Sequence, residues 1–292
     1  MIRTDLAIET INTPSHLKNM SGIENEESRF CGVTVNRVKI TNEDGERETG
    51  KPMGTYVTVS GENFARTSPD NLEQVKRCVV KELSALAGNK LSGGVLIICL
   101  GNDKCTPDAL GPKTARKILV TRHMQRELSQ ILDTPDITGV SCLAPGVLGQ
   151  TGIETGEVTR GVADRIKPSL IIAVDALAAR STDRLGSTVQ LANCGICPGS
   201  GVNNKRAELS EKTLGVPVIS IGVPTVVDAG TLVSDITGDD DDTSLSSSGR
   251  NMIVTPREID LLVEHSASLV AESINRALQS ALDPEDITAL SG

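Results

Sequence analysis

Aromatic side chains are nearly absent from this chain of 292 residues, which contains no tryptophan, one tyrosine and two phenylalanines. All three lie in the first quarter of the chain, as Phe30, Tyr56 and Phe64, and the last two-thirds has none. Proteins that bind single-stranded nucleic acid stack its bases on aromatic rings, so we expect no such platform there. The hydrophobic core must therefore be built from valine, isoleucine, leucine and alanine.

The sequence also lacks an excess of positive charge and a long apolar run. The formal net charge is −9, which does not favour a nucleic-acid partner or an anionic membrane surface. No apolar run approaches the roughly 20 residues that a membrane-spanning helix needs. The first residues, Met1–Asp5, have no apolar core of a secretory signal. We expect a cytoplasmic protein without a membrane partner.

A disulfide framework is not expected either. The seven cysteines are odd in number and irregular in spacing, which fits a reducing cytoplasm. Cys194 and Cys197 form a C-x-x-C, but no second pair with zinc-ligand spacing follows it, so we interpret it as incidental. The cysteines are Cys31, Cys78, Cys99, Cys105, Cys142, Cys194 and Cys197.

The order of strand and helix patterns predicts an α/β fold. Residues 1–30 are polar and irregular and are predicted to be a leader, and alternating strand signals follow over residues 32–61. Further on, apolar runs alternate with helical patterns, which favours a mostly parallel central sheet flanked by helices, with an added N-terminal β-rich segment. We predict one domain over residues 31–292, with a flexible acidic and serine-rich loop at 237–250. The apolar runs are 95–100, 137–143, 170–174 and 216–223.

Two aspartates follow buried strands of the predicted sheet. Asp108 lies in the segment that leaves the strand at 95–100, and Asp175 follows the run at 170–174. Each alone could serve only to cap a helix or hold a loop. Ligands bind outside the carboxyl ends of parallel strands, so neighbouring strands would place both carboxyls at one edge. Such a pair titrates together, and one member can activate water while the other donates a proton, which hydrolyses peptides without a metal.

Other catalytic patterns are missing. The chain has no phosphate-binding loop and no G-x-S-x-G, and no histidine is evidently placed to activate Ser200. His16 lies in the leader, and His123 and His265 lie in helical patterns. We therefore predict no metal site and no cofactor.

Seven stretches in order along the chain resemble the germination proteases of endospore-forming bacteria. They include the segments of both aspartates and the glycine-rich Pro198–Val202. The matching stretches are 3–9, 101–102 with 106–112, 144–147, 149–152, 174–180, 198–202 and 254–260.

The resemblance implies an endopeptidase of the spore core that degrades small acid-soluble spore proteins during germination. It implies a fold similar to hydrogenase maturation endopeptidases, catalytic roles for Asp108 and Asp175, and an inactive homotetrameric zymogen that removes its own N-terminus. The pattern around Asp5 and Leu6 is that of the family's cleavage sites, so we expect a propeptide of about residues 1–5, cut between these two residues. Gly199, Ser200 and Gly201 would form a loop whose backbone N–H groups approach the substrate.

Two alternatives remain at this point. One is a metal-dependent peptidase in which the same carboxylates hold a cation, as in the related maturation enzymes. Those enzymes also use a histidine for the metal, and we find no counterpart here. The other is a non-catalytic protein that keeps the fold to bind other spore proteins.

Overall fold

Nine strands and the helices around them are seen in a computed structural model. It describes residues 4–11, 21–125, 137–199, 206–237 and 252–291. The strands are β1 Ile23–Phe30, β2 Val33–Ile40, β3 Gly54–Ser60, β4 Val95–Cys99, β5 Val140–Leu143, β6 Leu170–Ala179, β7 Thr188–Ala192, β8 Val218–Asp228 and β9 Ile253–Val254. The helices are α1 Ala7–Ile11, α2 Glu43–Thr49, α3 Pro69–Ala87, α4 Leu110–Ala115, α5 Leu148–Thr151, α6 Thr155–Ile166, α7 Glu211–Leu214, α8 Ala229–Thr237, α9 Ile259–Leu278 and α10 Pro284–Ser291.

All nine strands belong to one mixed sheet, in the order β1-β2-β3-β7-β8-β6-β4-β5, with β9 paired to β8. Parallel pairing joins β8, β6, β4 and β5 in that order. The pairs β1–β2, β2–β3, β3–β7, β7–β8 and β8–β9 are antiparallel. The predicted mostly parallel sheet, like that of hydrogenase maturation endopeptidases, is therefore wrong for this chain.

Short connections explain why so much of the sheet is antiparallel. Only two residues separate β1 from β2, which permits a hairpin and nothing else. Between β6 and β7 lies the segment 180–187, with a single turn of 3-10 helix at Thr182–Arg184. A parallel crossover needs a dozen residues or more, so β7 has to run against β6 and β8. The sequence analysis identified no strand at β7, and with it missed the link between the two halves of the sheet.

The two longest helices of the described residues are α3 and α9. Ser68 caps α3 by accepting a hydrogen bond from the backbone N–H of Asn71 at 3.2 Å, and proline occupies the first turn. Val75, Val79 and Leu83 are buried on its inner face. Both α3 and α9 cover one face of the sheet and enclose its largest cluster of buried side chains.

The N-terminal segment is part of the core. Leu6, Ala7, Ile8 and Ile11 are buried in a second cluster with side chains of β2, β3 and β6. The division into a leader over 1–30 and one domain over 31–292 stays a prediction. Of the predicted acidic loop at 237–250, all residues after Thr237 lie outside the described part of the chain.

Among the helices of the described residues, we find none with the length and apolar character that crossing a membrane requires.

Candidate active site

Asp175 lies on β6 at the point where one neighbouring strand ends. The last pair between β4 and β6 joins Cys99 to Val174, whereas β6 continues along β8 as far as Ala179. The strand therefore does not end at residue 174, because β8 still pairs with it. Asp175 is 6% exposed, and its Oδ1 accepts a hydrogen bond from the Ala176 N–H at 2.9 Å.

Asp108 is held by a tight loop that follows β4. The backbone N–H of Asn102 lies 2.9 Å from Asp108 Oδ2 and 3.0 Å from the Asp108 carbonyl oxygen. The Asp108 N–H in turn donates to the Cys105 carbonyl at 2.8 Å. The loop closes at Gly101, whose φ is +113° and whose Cβ, if it had one, would lie 2.0 Å from the Asp108 carbonyl oxygen. Only glycine fits so close an approach of two backbone segments.

Both aspartates line one cavity of about 380 Å³ at this edge of the sheet. Asp5, Gly199 and Thr225 line it too. The structure thus brings together the predicted acids, the first residue of the predicted cleavage bond and part of the predicted glycine loop. Ser200 and Gly201 lie outside the described residues.

Burial favours the protonated form of both acids, and repulsion by neighbouring charges adds to this effect at Asp175. The pKa of Asp175 is raised well above its usual range by burial first, and then by the negative charges of Asp108 and Asp5; the Ala176 N–H opposes the rise. Burial also raises the pKa of Asp108, and the hydrogen bond from Asn102 partly offsets it. Raised pKa values favour a state in which one acid holds a proton, which acid–base catalysis requires.

The N-terminal segment is bound across the end of β6 by backbone and carboxylate contacts. The Asp5 N–H donates to the Ala178 carbonyl, and the Ala178 N–H donates to Asp5 Oδ2, both at 2.8 Å. Further along, Glu9 accepts hydrogen bonds from the N–H groups of Arg180 and Ser181 at 2.7 and 3.0 Å. Its carboxylate also accepts the hydroxyl of Thr4. Leu6 between these anchors is completely buried.

Three side chains near this segment were missed by the sequence reasoning. Gln190 on β7 contacts the backbone on both sides of Leu6. Lys51 donates from Nζ to the Thr4 carbonyl at 2.8 Å, and burial lowers its pKa against the opposing effect of Asp5. Thr225 donates to the loop that carries Asp108. A glutamine inside the buried run Thr188–Ala192 is the one signal that could have drawn attention to this region.

The histidines take no part in this site where they are described. His123 is exposed, and His265 Nδ1 lies 2.8 Å from the Phe64 carbonyl oxygen; His16 lies outside the described residues. Within the described ranges, no group of three or more histidine, cysteine, aspartate or glutamate side chains is placed to hold a metal ion. In the part of the chain that the structure describes, the carboxylate side chains that line this cavity are those of Asp5, Asp108, Glu154 and Asp175. The absence of a metal and of a cofactor stays a prediction.

Comparison with known proteins gives the family of this chain. A family model described as germination protease matches residues 3–238. The germination protease of Caldanaerobacter subterraneus subsp. tengcongensis is 40% identical, and the match covers 99% of this chain and 98% of that protein. The germination protease of Clostridium acetobutylicum is 38% identical over 98% of both chains, and that of Bacillus velezensis is 36% identical over 98% of this chain and 95% of its own.

Relatives that match nearly the whole length of this chain are proteases, which makes the chain a peptide hydrolase. The chain belongs to the germination protease family.

Proposed function

We propose that this protein is an endopeptidase that initiates the degradation of small acid-soluble spore proteins in the spore core during germination. We also propose that it hydrolyses peptide bonds with the aspartate pair Asp108 and Asp175, without a metal or other cofactor, and that it is made as a self-processing homotetrameric zymogen. Its substrates would be proteins, with no nucleic acid or membrane involved. The observation that carries the mechanism is that both carboxyls line one cavity while burial raises the pKa of each.

The reaction consumes one water and needs one proton donor. The ionised carboxylate of the pair takes a proton from water, and the water oxygen bonds to the carbonyl carbon of the substrate. The protonated carboxyl gives its proton to the leaving nitrogen as the C–N bond breaks. The products are a carboxylic acid and an amine, and the aspartate pair again holds one proton. Because the pKa of Asp175 is raised by two neighbouring negative charges as well as by burial, it is our choice for the proton donor.

Self-processing is supported by the way the N-terminal segment is bound. Asp5 lines the same cavity as the aspartate pair, and its backbone and carboxylate both contact Ala178. Leu6 follows directly and is buried. A chain held in this way presents the Asp5–Leu6 bond at the edge of the cavity. Cleavage there would release residues 1–5.

The decisive experiment compares the parent with Asp108→Asn and Asp175→Asn, using Asp164→Asn as the control. Asp164 is exposed on α6 and does not line the cavity. Each site variant should lose about 10²- to 10⁴-fold in the rate of digestion of a small acid-soluble spore protein, because acid–base catalysis contributes that much. The control should digest at the parent rate. Digestion at the parent rate by either site variant would show that the pair is not the catalyst.

The same preparations test the other parts of the proposal. N-terminal sequencing of the matured chain should begin at Leu6, and a different start would rule out the Asp5–Leu6 bond. Activity should persist in a chelator, and a loss that added cation restores would favour the metal-dependent alternative. A parent that matures but digests no spore protein would favour the binding alternative. Sedimentation velocity before maturation should give the mass of a tetramer.

A further inference from the structure

Gln190 contacts the peptide backbone on both sides of Leu6. Its Nε2 donates a hydrogen bond to the carbonyl oxygen of Asp5 at 2.8 Å, and its Oε1 accepts one from the N–H of Ala7 at 2.8 Å. The side chain is 7% exposed, so both halves of its carboxamide need a partner, and both partners belong to this segment. The carboxamide therefore acts as a neighbouring strand would, with one donor and one acceptor for an extended chain.

The sheet places Gln190 on the same face as Asp175. Gln190 pairs with Gly222 on β8, and Gly222 pairs with Asp175 on β6, so the three form one row across the sheet. Directly paired residues point to the same side, and two strand spacings put their backbones about 10 Å apart. The glycine between them leaves room for the side chain of Leu177, which leans over it. Leu177 packs in the same cluster as Leu6, so the N-terminal segment lies on the face that carries both polar residues.

We propose that Gln190 binds the scissile peptide: its Nε2 holds the carbonyl oxygen of the bond that is cut, and its Oε1 fixes the backbone on the leaving side. This inference rests on the proposed function, in which the Asp5–Leu6 bond is the one hydrolysed. The same contacts would serve a spore protein bound as an extended chain in place of the N-terminal segment. Gln190 is then a substrate-contacting residue of the reaction and adds to the aspartate pair.

The chemistry suits a neutral donor at this position. When water adds to the carbonyl carbon, the carbonyl oxygen gains negative charge, and a fixed N–H donor stabilises it. A glutamine carries no charge, so it adds no repulsion to a site that already holds Asp5, Asp108 and Asp175. Gln190 Oε1 fixes the position of the Ala7 N–H by accepting its hydrogen bond. Further along the segment, the Glu9 carboxylate is held by the N–H groups of Arg180 and Ser181. One side chain thus sets both the position and the polarisation of the bond.

The test follows self-cleavage of the full-length chain by mass spectrometry, from the appearance of a chain that begins at Leu6. Gln190→Met keeps the length of the side chain and removes both hydrogen bonds. Gln190→Glu keeps the acceptor for the Ala7 N–H and loses the donor to the Asp5 carbonyl. Thr188→Val is the matched control. Thr188 is buried two residues away from Gln190, on the same strand and the same face of the sheet. Among the described residues, its hydroxyl lies near that of Ser60 and makes no hydrogen bond with the N-terminal segment.

Gln190→Met should cleave itself about 10²- to 10³-fold more slowly than the parent, as expected for the loss of one oxyanion donor, while Thr188→Val stays within a few-fold. Gln190→Glu should be equally slow once the pH is high enough to ionise its carboxyl, because burial close to other acids would raise the pKa of that group. Its rate relative to the parent should recover on acidification, because a protonated glutamic acid can again donate. A purely structural glutamine would give no such pH dependence.

Parent-like self-cleavage in Gln190→Met, or in Gln190→Glu at every pH, overturns the inference, and so does loss of folding in both variants, since Gln190 would then be a structural residue. Asp175→Asn in the same series separates this outcome from a failure of the proposed function. If Asp175→Asn cleaves at the parent rate, or the new N-terminus is not Leu6, the proposed function fails. If Asp175→Asn is inactive and the Gln190 variants are unaffected, only the role of Gln190 is wrong.

Discussion

Thr225 donates a hydrogen bond from its hydroxyl to the carbonyl oxygen of Pro107 at 2.7 Å. The pairing of β6 with β8 skips one residue here, since Leu177 faces Pro224 while Ala178 faces Val226. Thr225 is therefore the extra residue of a β-bulge, and such bulges redirect side chains next to functional sites. The bulge connects β8 to the loop that ends in Asp108.

We predict that Thr225→Val lowers activity more than stability. The variant is isosteric and leaves the Pro107 carbonyl without this donor, which should cost about 1 kcal/mol of unfolding free energy. Because Asp108 is the next residue, a shift of the loop should reduce the rate of substrate digestion by roughly 10- to 100-fold. Digestion rates and urea midpoints measured together separate the two effects.

The matched control for that experiment is Thr138→Val. Thr138 is a buried threonine whose hydroxyl donates to the Leu91 carbonyl at 3.1 Å, at the opposite edge of the parallel strands. It should lose similar stability and keep its activity. Equal losses of activity in the two variants would mean that the bulge does not position Asp108.

We also predict that Gly101→Ala damages the same loop. Its φ of +113° is unfavourable for alanine, and the added Cβ would lie 2.0 Å from the Asp108 carbonyl oxygen. Backbone strain of this kind costs about 1–3 kcal/mol, and the displacement of Asp108 should lower the digestion rate at least about tenfold.

Gly161→Ala in α6 is the comparison for Gly101→Ala. A Cβ at Gly161 would meet nothing within 4 Å, and the residue lies inside a helix. Alanine there should raise stability by up to about 1 kcal/mol without a change in activity. If Gly101→Ala has the same stability and digestion rate as Gly161→Ala, the loop accommodates a Cβ at position 101 without displacing Asp108.

The sequence could predict that Asp108 and Asp175 lie at one edge of the sheet, because each follows a buried apolar run. Val95–Cys99 and Leu170–Val174 are fully buried and pair in parallel, so the residues that follow them meet at the same edge of the sheet. The direction of the remaining strands could not be read in the same way. It depends on connection lengths and on β7, whose five residues mix threonine and glutamine with apolar side chains and gave no strand signal.

The contacts of the N-terminal segment could not be predicted for a related reason. Asp5 meets Ala178 and Gln190, residues more than 170 positions away in the chain. Those two residues become neighbours only through the order β7-β8-β6 of the sheet. The family resemblance pointed to the Asp5–Leu6 bond, but the side chain that holds its carbonyl oxygen becomes apparent only in the folded molecule.

The N-terminal strands offer a test of stability away from the site. Arg37 on β2 binds Glu82 on α3 through two hydrogen bonds of 2.5 and 2.8 Å, and the Glu82 side chain is 5% exposed. Arg37→Met would leave a buried carboxylate without its partner, which should cost about 3 kcal/mol in urea unfolding. The double variant Arg37→Met with Glu82→Leu should regain most of that loss. Arg29→Met breaks an exposed ion pair with Glu27 and should cost less than about 1 kcal/mol of unfolding free energy. If Arg29→Met and Arg37→Met cost the same, burial of Glu82 does not determine the cost.

The raised pKa of Asp175 also predicts how stability depends on pH. Between the unfolded pKa of an aspartate, about 3.9, and the higher pKa in the folded protein, the folded chain holds a proton that the unfolded chain has released. The free energy of unfolding contributed by this group therefore falls as pH rises through that window. Asparagine keeps the acceptor for the Ala176 N–H and carries no charge, so Asp175→Asn should be more stable than the parent at pH 7. The gain is about 1.4 kcal/mol for each unit by which the pKa is raised, and it should vanish below about pH 4.

Urea unfolding of freshly purified, unprocessed chains from pH 3.5 to 8 measures this difference. Asp108→Asn should give a smaller gain of the same sign, because the Asp108 charge is the second cause of the Asp175 shift and burial is the first. Asp164→Asn on the exposed face of α6 should show no trend with pH beyond that of the parent. If the stability of Asp175→Asn relative to the parent does not fall as the pH is lowered from 8 to 4, folding does not raise the pKa of the carboxyl, and the carboxyl is ionised in the folded protein at neutral pH. It could not then be the proton donor of the pair.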